Sequence, residues 1–385
     1  MRDLDAALAK QHAAGLYRQR RIIDGAHRTR VEIDGASWLS FCSNDYLGLA
    51  ADPRIAEALR EGTKRYGVGS GAAHLISGHN RAHQALEESL AAFTKRQRAL
   101  LFSTGYMANL GVITALVGRG DTIVADRLNH ASLVDGARLS GARLRRYAHA
   151  DPVAAEALTS AHSPALIASD GVFSMDGDLA PLPELAALAR QAGAWLLVDD
   201  AHGLGVLGKM GQGSLEHWGL NAGKVPILVG TLGKALGSFG AFVAGDVALI
   251  ETLIQRARSY IYTTALPPAV AYATQTALHL AQKESWRRDH LNQMVQRFRA
   301  GAAQLGLPIG DQSSTPIVPL LAGDARTALA WSEQLARQRI LVTAIRPPTV
   351  PENTSRLRIT FSAAHQPHEI DQLLEVLAQG VTNHC

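Results

Sequence analysis

Between residues 95 and 250 the chain alternates short runs of strand character with longer amphipathic ones. The short runs cover 99–102, 122–125, 144–147, 165–169, 195–198, 227–230 and 241–244. Most read as continuous apolar residues rather than apolar–polar alternation, which is the mark of strands buried on both faces. The gaps carry helical periodicity, for example over 53–66, 82–94 and 182–191, the first opened by an Asp52-Pro53 N-cap signal. Strands separated by helices predict right-handed crossovers and a mainly parallel, seven-stranded sheet covered by helices. Upstream, residues 3–21 read as an amphipathic helix with Leu4, Leu8 and Leu16 in phase. Runs at 31–33 and 38–41, joined by Asp34-Gly35, read as a hairpin. Downstream, a long helical stretch at 268–300 precedes an alternating segment: a strand at 317–321, a helix at 325–338, strands at 340–344 and 356–361, and a last helix from Pro367. The expected organisation is an N-terminal segment 1–50, a large α/β domain 51–285 and a smaller α+β domain 286–385.

Bulk composition narrows the class without deciding it. The 385 residues are 47% apolar and 19% charged, enough for a sizeable core. A formal charge of +4 spread over that length points to no nucleic-acid partner. Two basic clusters, Arg18–Arg21 and Arg143–Arg146, read first as solvated edges and second as contacts for a phosphate-bearing substrate. Two cysteines, Cys42 and Cys385, fit a reducing compartment. The first 21 residues lack the apolar core of a signal peptide, so the cytoplasm is expected. The low-charge stretch 225–245 carries Lys234 and five glycines, which argues against a membrane span.

Candidate chemistry gathers where strands end. The run 195–198 leads into Asp199, Asp200 and His202, and the run 227–230 leads through Thr231 to Lys234. In open α/β sheets ligands bind beyond the carboxyl ends of the strands. An acid, a histidine and a lysine at that edge suit pyridoxal 5'-phosphate, which needs an amine for its aldehyde and an acid for its ring nitrogen. Leu232, Ala235 and Leu236 surround Lys234 with apolar bulk, which favours the neutral, nucleophilic amine. Asp199 and Asp200 must point to opposite faces, so one of them at most meets a given ligand. The turn 103–106 (STGY) opens a helix and is a natural phosphate cradle, with Gly105 and Tyr106 at its mouth. Thr231, Thr263 and Thr264 offer further hydroxyl donors. His130 follows another strand-to-helix junction, where it serves as a cap or as a ring for stacking. His79 and His83 stand four apart, but no third ligand is nearby in sequence, so no metal site is expected. GLGVLG (203–208) matches a dinucleotide fingerprint and leaves a nicotinamide-dependent oxidoreductase as an alternative, although helix formers are scarce after it.

Read together, the motifs SNDYLGL (43–49), GVGSG (67–71), ISGHN (76–80), HQALEE (83–88), DRLNHASL (126–133), GVFSMDGD (171–178), VDDAHGLGVLG (198–208), GTLGKALG (230–237) and YTTALPP (262–268) resemble the α-oxoamine synthase family of fold-type-I pyridoxal-phosphate enzymes. The resemblance implies that Lys234 holds the cofactor and moves the Cα proton, that Asp199 pairs with the ring nitrogen and that His202, with Ser174 nearby, meets the phenolic oxygen. It implies that His130 stacks on the ring and assists acyl transfer. Gly105, Tyr106 and Thr231 match phosphate positions, and Thr264 matches one supplied by the other subunit of a homodimer. Arg358 matches the residue that takes the amino-acid carboxylate, Asn44 lies near it, and Arg18 and Thr349 match acyl-substrate positions. The segment 342–365, with Arg346 and Thr349 in IRPPTVP, most resembles family members that condense L-alanine with a pimeloyl thioester carried by coenzyme A or a carrier protein. Glycine-using members are the alternative within the family. Ala72-Ala73 and Phe239 depart from the family pattern and leave the local loop geometry open.

Overall fold

The computed structural model describes residues 3–381. Along the chain come β1 (Arg30–Ile33), β2 (Ala36–Ser40), β3 (Arg98–Phe102), β4 (Thr122–Asp126), β5 (Arg143–Tyr147), β6 (Leu166–Asp170), β7 (Trp195–Asp199), β8 (Ile227–Thr231), β9 (Ala241–Gly245), β10 (Ile317–Gly323), β11 (Ile340–Leu341), β12 (Thr343–Ile345) and β13 (Ser355–Thr360). Contacts divide the chain into two units. One holds residues 47–174 and 178–288; the other holds the residues up to Tyr46, Met175–Gly177 and those from Asp289 onward.

The first unit is built on a seven-stranded sheet in the order β3-β9-β8-β7-β6-β4-β5. Strands β5, β4, β6, β7 and β8 run parallel, and β9 is antiparallel to both β8 and β3. Alternation along each strand feeds two cores. Ile123 and Leu197 pack on one face with Val112 and Leu253, while Val124, Leu196 and Val198 pack on the other with Leu185. Each such fully buried aliphatic side chain is worth about 1.5–3 kcal/mol. Edge strand β5 differs: Arg143, Arg145 and Arg146 are exposed along it, so the basic cluster lies on a solvated edge and blunts it against pairing with other chains. Register pairs Asp170 with Asp199 and Asp199 with Val229, so three strands deliver their last residues to one rim.

In the second unit β1 and β2 form the expected hairpin, turned by Asp34 and Gly35 with φ of 51° and 70°. Strand β2 also pairs in parallel with β11, far downstream. A second sheet has the order β10-β13-β12. Three expectations change here. The N-terminal helix covers only Leu4–Ala13, ends before Gly15 (φ 65°) and buries no side chain. The stretch 268–300 is two helices, Pro268–Lys283 and Trp286–Gln304. The run 340–344 breaks at Val342, with β11 in one sheet and β12 in the other. Among the described residues no helix is long and apolar enough to cross a membrane.

Candidate active site

At the carboxyl rim of β6, β7 and β8 lies a cavity of about 200 Å³, and Gly105, Tyr106, His130, Ser174, Asp199, His202, Thr231 and Lys234 all line it. These eight are the catalytic and cofactor positions expected from the sequence, Thr264 excepted. Lys234 Nζ lies 2.8 Å from His202 Nε2, and the amine is partly buried. Asp199, the last residue of β7, accepts a hydrogen bond from Asn109 Nδ2 at 2.6 Å and another from the Ala201 N–H at 3.0 Å. Both donors are neutral, and among the described residues no cation forms an ion pair with this buried carboxylate. Asp200 points the other way, as adjacency on a strand requires. It is fully buried, accepts from the Ser214 N–H at 2.8 Å, and is pushed up to about 7 by burial. Backbone crowds this carboxylate: Gly213 has φ 92°, and a Cβ there would collide with Asp200 Oδ2.

His130 caps the helix Ala131–Ser140, its Nδ1 lying 2.7 Å from Ser132 Oγ and accepting from the Ser132 N–H at 3.3 Å. Its own N–H donates to Asp170 Oδ2 at 2.8 Å. Burial lowers the His130 pKa against the pull of Asp199, which favours the neutral imidazole in the ring that lines the cavity. Burial, then the charge of Asp199, raises Asp170. The helix Gly105–Leu116 begins at the cavity, capped by Thr104, whose hydroxyl accepts from the Met107 N–H at 3.1 Å. Its positive dipole end therefore borders the cavity, where Gly105 and Tyr106 line it. Thr231 Oγ1 donates to the Gly240 carbonyl at 3.2 Å.

Other expected positions lie elsewhere. Thr264 is exposed, pairs with Ala73 in an isolated bridge, and does not line the cavity. In the second unit Arg358, on β13, donates from both Nη atoms to Asn44 Oδ1 at 3.1 and 3.2 Å. Arg18 Nη2 donates to Thr349 Oγ1 at 3.3 Å, and Arg346 donates to the Gly15 carbonyl. Burial, then the charge of Arg18, lowers the Arg346 pKa.

Sequence reasoning missed Asn109, Ser132 and Asp170. The signal for Asp170 was present, since it ends β6 as Asp199 ends β7. Asn109 lies one turn inside a helix and carries no local mark. The glycines of 203–208 sit in turns followed by a helix of only four residues, Ser214–His217, so the N-terminal helix that a dinucleotide would require is missing there. His74 joins His79 and His83 as a third clustered imidazole, which the sequence spacing had not suggested.

A lysine, an acid and a helix N-terminus on one sheet rim define a fold-type-I cofactor enzyme, and the chain belongs to the aminotransferase class I and II family, whose model matches residues 36–377. It is 62% identical to the 8-amino-7-oxononanoate synthase of Methylococcus capsulatus over 98% of each chain. Among solved structures, the 8-amino-7-oxononanoate synthase of Francisella tularensis superposes with a TM-score of 0.80 and 32% identity, over 90% of this chain and 98% of that one. Serine palmitoyltransferase from S. paucimobilis, solved with a bound PLP–myriocin aldimine, gives a TM-score of 0.93 and 29% identity, over 99% and 97% of the two chains.

Proposed function

We propose that this protein condenses L-alanine with a pimeloyl thioester, releasing carbon dioxide and the free thiol, to give 8-amino-7-oxononanoate in biotin biosynthesis, with pyridoxal 5'-phosphate as cofactor. The observation that carries the reading is the cavity itself, found in a chain 62% identical to a synthase of that name. The residues present suit the cofactor: a buried carboxylate held by neutral donors awaits a cationic ring nitrogen, and a helix N-terminus awaits a phosphate.

When bound, the cofactor supplies an aldehyde carbon for amines and a ring that draws electrons from the amino acid. Lys234 would provide the amine that anchors the cofactor and the base for the Cα proton of alanine. His202, 2.8 Å from Nζ, orients that amine and meets the ring's oxygen. Asp199 would hold the ring nitrogen, and Asn109 Nδ2, 2.6 Å from Asp199 Oδ2, fixes that carboxylate. His130, held by Asp170 and Ser132, would stack on the ring and assist acyl transfer. Gly105, Tyr106 and Thr231 take the phosphate. Arg358, with Asn44, takes the alanine carboxylate; Arg18 and Thr349 take the acyl chain. Thr264 completes the phosphate site of the partner subunit in a homodimer, and the protein works in the cytoplasm.

Purified protein given L-alanine and pimeloyl-coenzyme A, or pimeloyl-carrier protein, should release 8-amino-7-oxononanoate detectable by mass spectrometry. Glycine in place of alanine should give far slower turnover. No product from either thioester sinks the reading. Lys234→Ala should remove both turnover and the visible absorbance of the bound cofactor, and sedimentation should show a dimer.

A further inference from the structure

Away from the sheet rim, three imidazoles converge within the first unit. His74 opens the single π-turn His74–Gly78, His79 follows it directly, and His83 stands in the first turn of the helix Arg81–Phe93. One ring nitrogen of each lies within 4.8 Å of the others. His74 Nδ1 and His79 Nδ1 are 3.0 Å apart, and the His83 ring centroid is 5.0 Å from that of His74 and 5.6 Å from that of His79.

Two of the rings are already aimed by acceptors on their far side. His83 Nε2 meets the Leu266 carbonyl at 2.7 Å, so that nitrogen carries the proton and Nδ1 holds the lone pair. The Asn80 N–H donates to that lone pair at 3.1 Å. His79 Nε2 lies 3.3 Å from Gln84 Oε1, which leaves its Nδ1 toward His74. Metal-binding histidines are oriented in this way, through a carbonyl or amide oxygen on the nitrogen away from the ion. His74 and His83 are buried, and His74 stacks on Tyr260 with ring centroids 4.9 Å apart.

We propose that His74, His79 and His83 form a site for a divalent transition-metal ion of the zinc class, bound through three imidazole nitrogens with the remaining position open to water. Nitrogen–metal distances of about 2.0–2.1 Å require the His74 and His79 nitrogens to open slightly from 3.0 Å and the His83 nitrogen to close in, each pair reaching roughly 3.3 Å. The partly exposed His79 has room to make that movement. The ion replaces the hydrogen bond between His74 and His79, whose proton passes to the far nitrogen of its ring, and it displaces the Asn80 N–H from His83. Because His83 holds the Leu266 carbonyl and Ala73 pairs with Thr264, the ion would also brace the segment 264–266.

The test uses tag-free protein treated with chelator and titrated with Co²⁺, read by visible ligand-field bands and by ion content per chain. One Co²⁺ per chain, displaced by Zn²⁺, is expected. His79→Ala should weaken binding about 100-fold, and Gln84→Ala, which removes only the far-side acceptor, by about tenfold. Thermal melts confirm that both variants fold. Absence of ligand-field bands at millimolar Co²⁺, or unchanged affinity in His79→Ala, overturns the proposal.

Discussion

In the sheet unit the groups at the carboxyl rim interlock before any ligand arrives: Asn109 bonds to Asp199 and Ser132, Ser132 to His130, and His130 to Asp170. Among the described residues no cation forms an ion pair with Asp199 in this network. In the second unit the deficit has the opposite sign. Arg18 and Arg346 rest on a threonine hydroxyl and a backbone carbonyl, whereas Arg297 and Arg356 are matched by Asp371 and Asp176. Each unit thus holds one half of an ion pair. On the proposed reading a protonated ring completes the first, and a substrate carboxylate completes the second. Asp199 is buried, and buried charge is costly unless paired, so the missing cation there is itself a signal of what binds.

The largest test of this contrast is Asp199→Asn, which keeps the shape and removes the charge. Turnover should fall roughly 10²–10³-fold, comparable to losing one electrostatic stabiliser in an active site. A fall below tenfold in kcat would break the assignment. Asn109→Ala frees the same carboxylate to move and should have a smaller effect in the same assay. Next comes Arg358→Met, expected to raise KM for L-alanine about 10–100-fold, as charge-assisted hydrogen bonds of about 1.5–3 kcal/mol are lost. If kcat falls while KM holds, Arg358 is not the carboxylate partner. Arg18→Ala, at an exposed position, should raise KM for the acyl donor only about fivefold and leave KM for alanine alone.

The smallest effect concerns stability. His149 lies between Asp126 at 3.0 Å and Asp178 at 2.9 Å. Burial alone would lower its pKa, but the two carboxylates outweigh burial and push it up to about 10. A folded-state value above the unfolded one means that the stabilisation is fully present below about pH 6.5 and is lost as pH rises toward 10. Denaturant midpoints should therefore decline between pH 6.5 and 10, and the decline should shrink in His149→Phe. An equal slope in both proteins would show that His149 plays no part.

Most of the catalytic rim was legible because each residue sits next to a local mark. Asp199 and Lys234 follow apolar runs, His130 and Gly105 open helices, and Asp34-Gly35 announces its own turn. Such signals live within a few residues of chain, where strand period, capping and turn chemistry operate. Asn109 was not legible, since its partner Asp199 lies 90 residues away and the bond exists only because their elements are packed together. The pairing of β2 with β11 and the break at Val342 are of the same kind: two short apolar segments choose different sheets according to what lies beside them.

By itself, then, the order of residues determined the alternation of strands and helices and placed Asp199 and Lys234 at or just beyond the carboxyl ends of their strands. Tertiary structure alone decided which neutral groups hold Asp199, that Arg18 and Arg346 rest on neutral acceptors, and that His74 meets His79 and His83. The physical reason is range. Backbone propensity and periodicity act along the chain, whereas hydrogen-bond geometry and charge pairing act through space and depend on which strands and helices become neighbours.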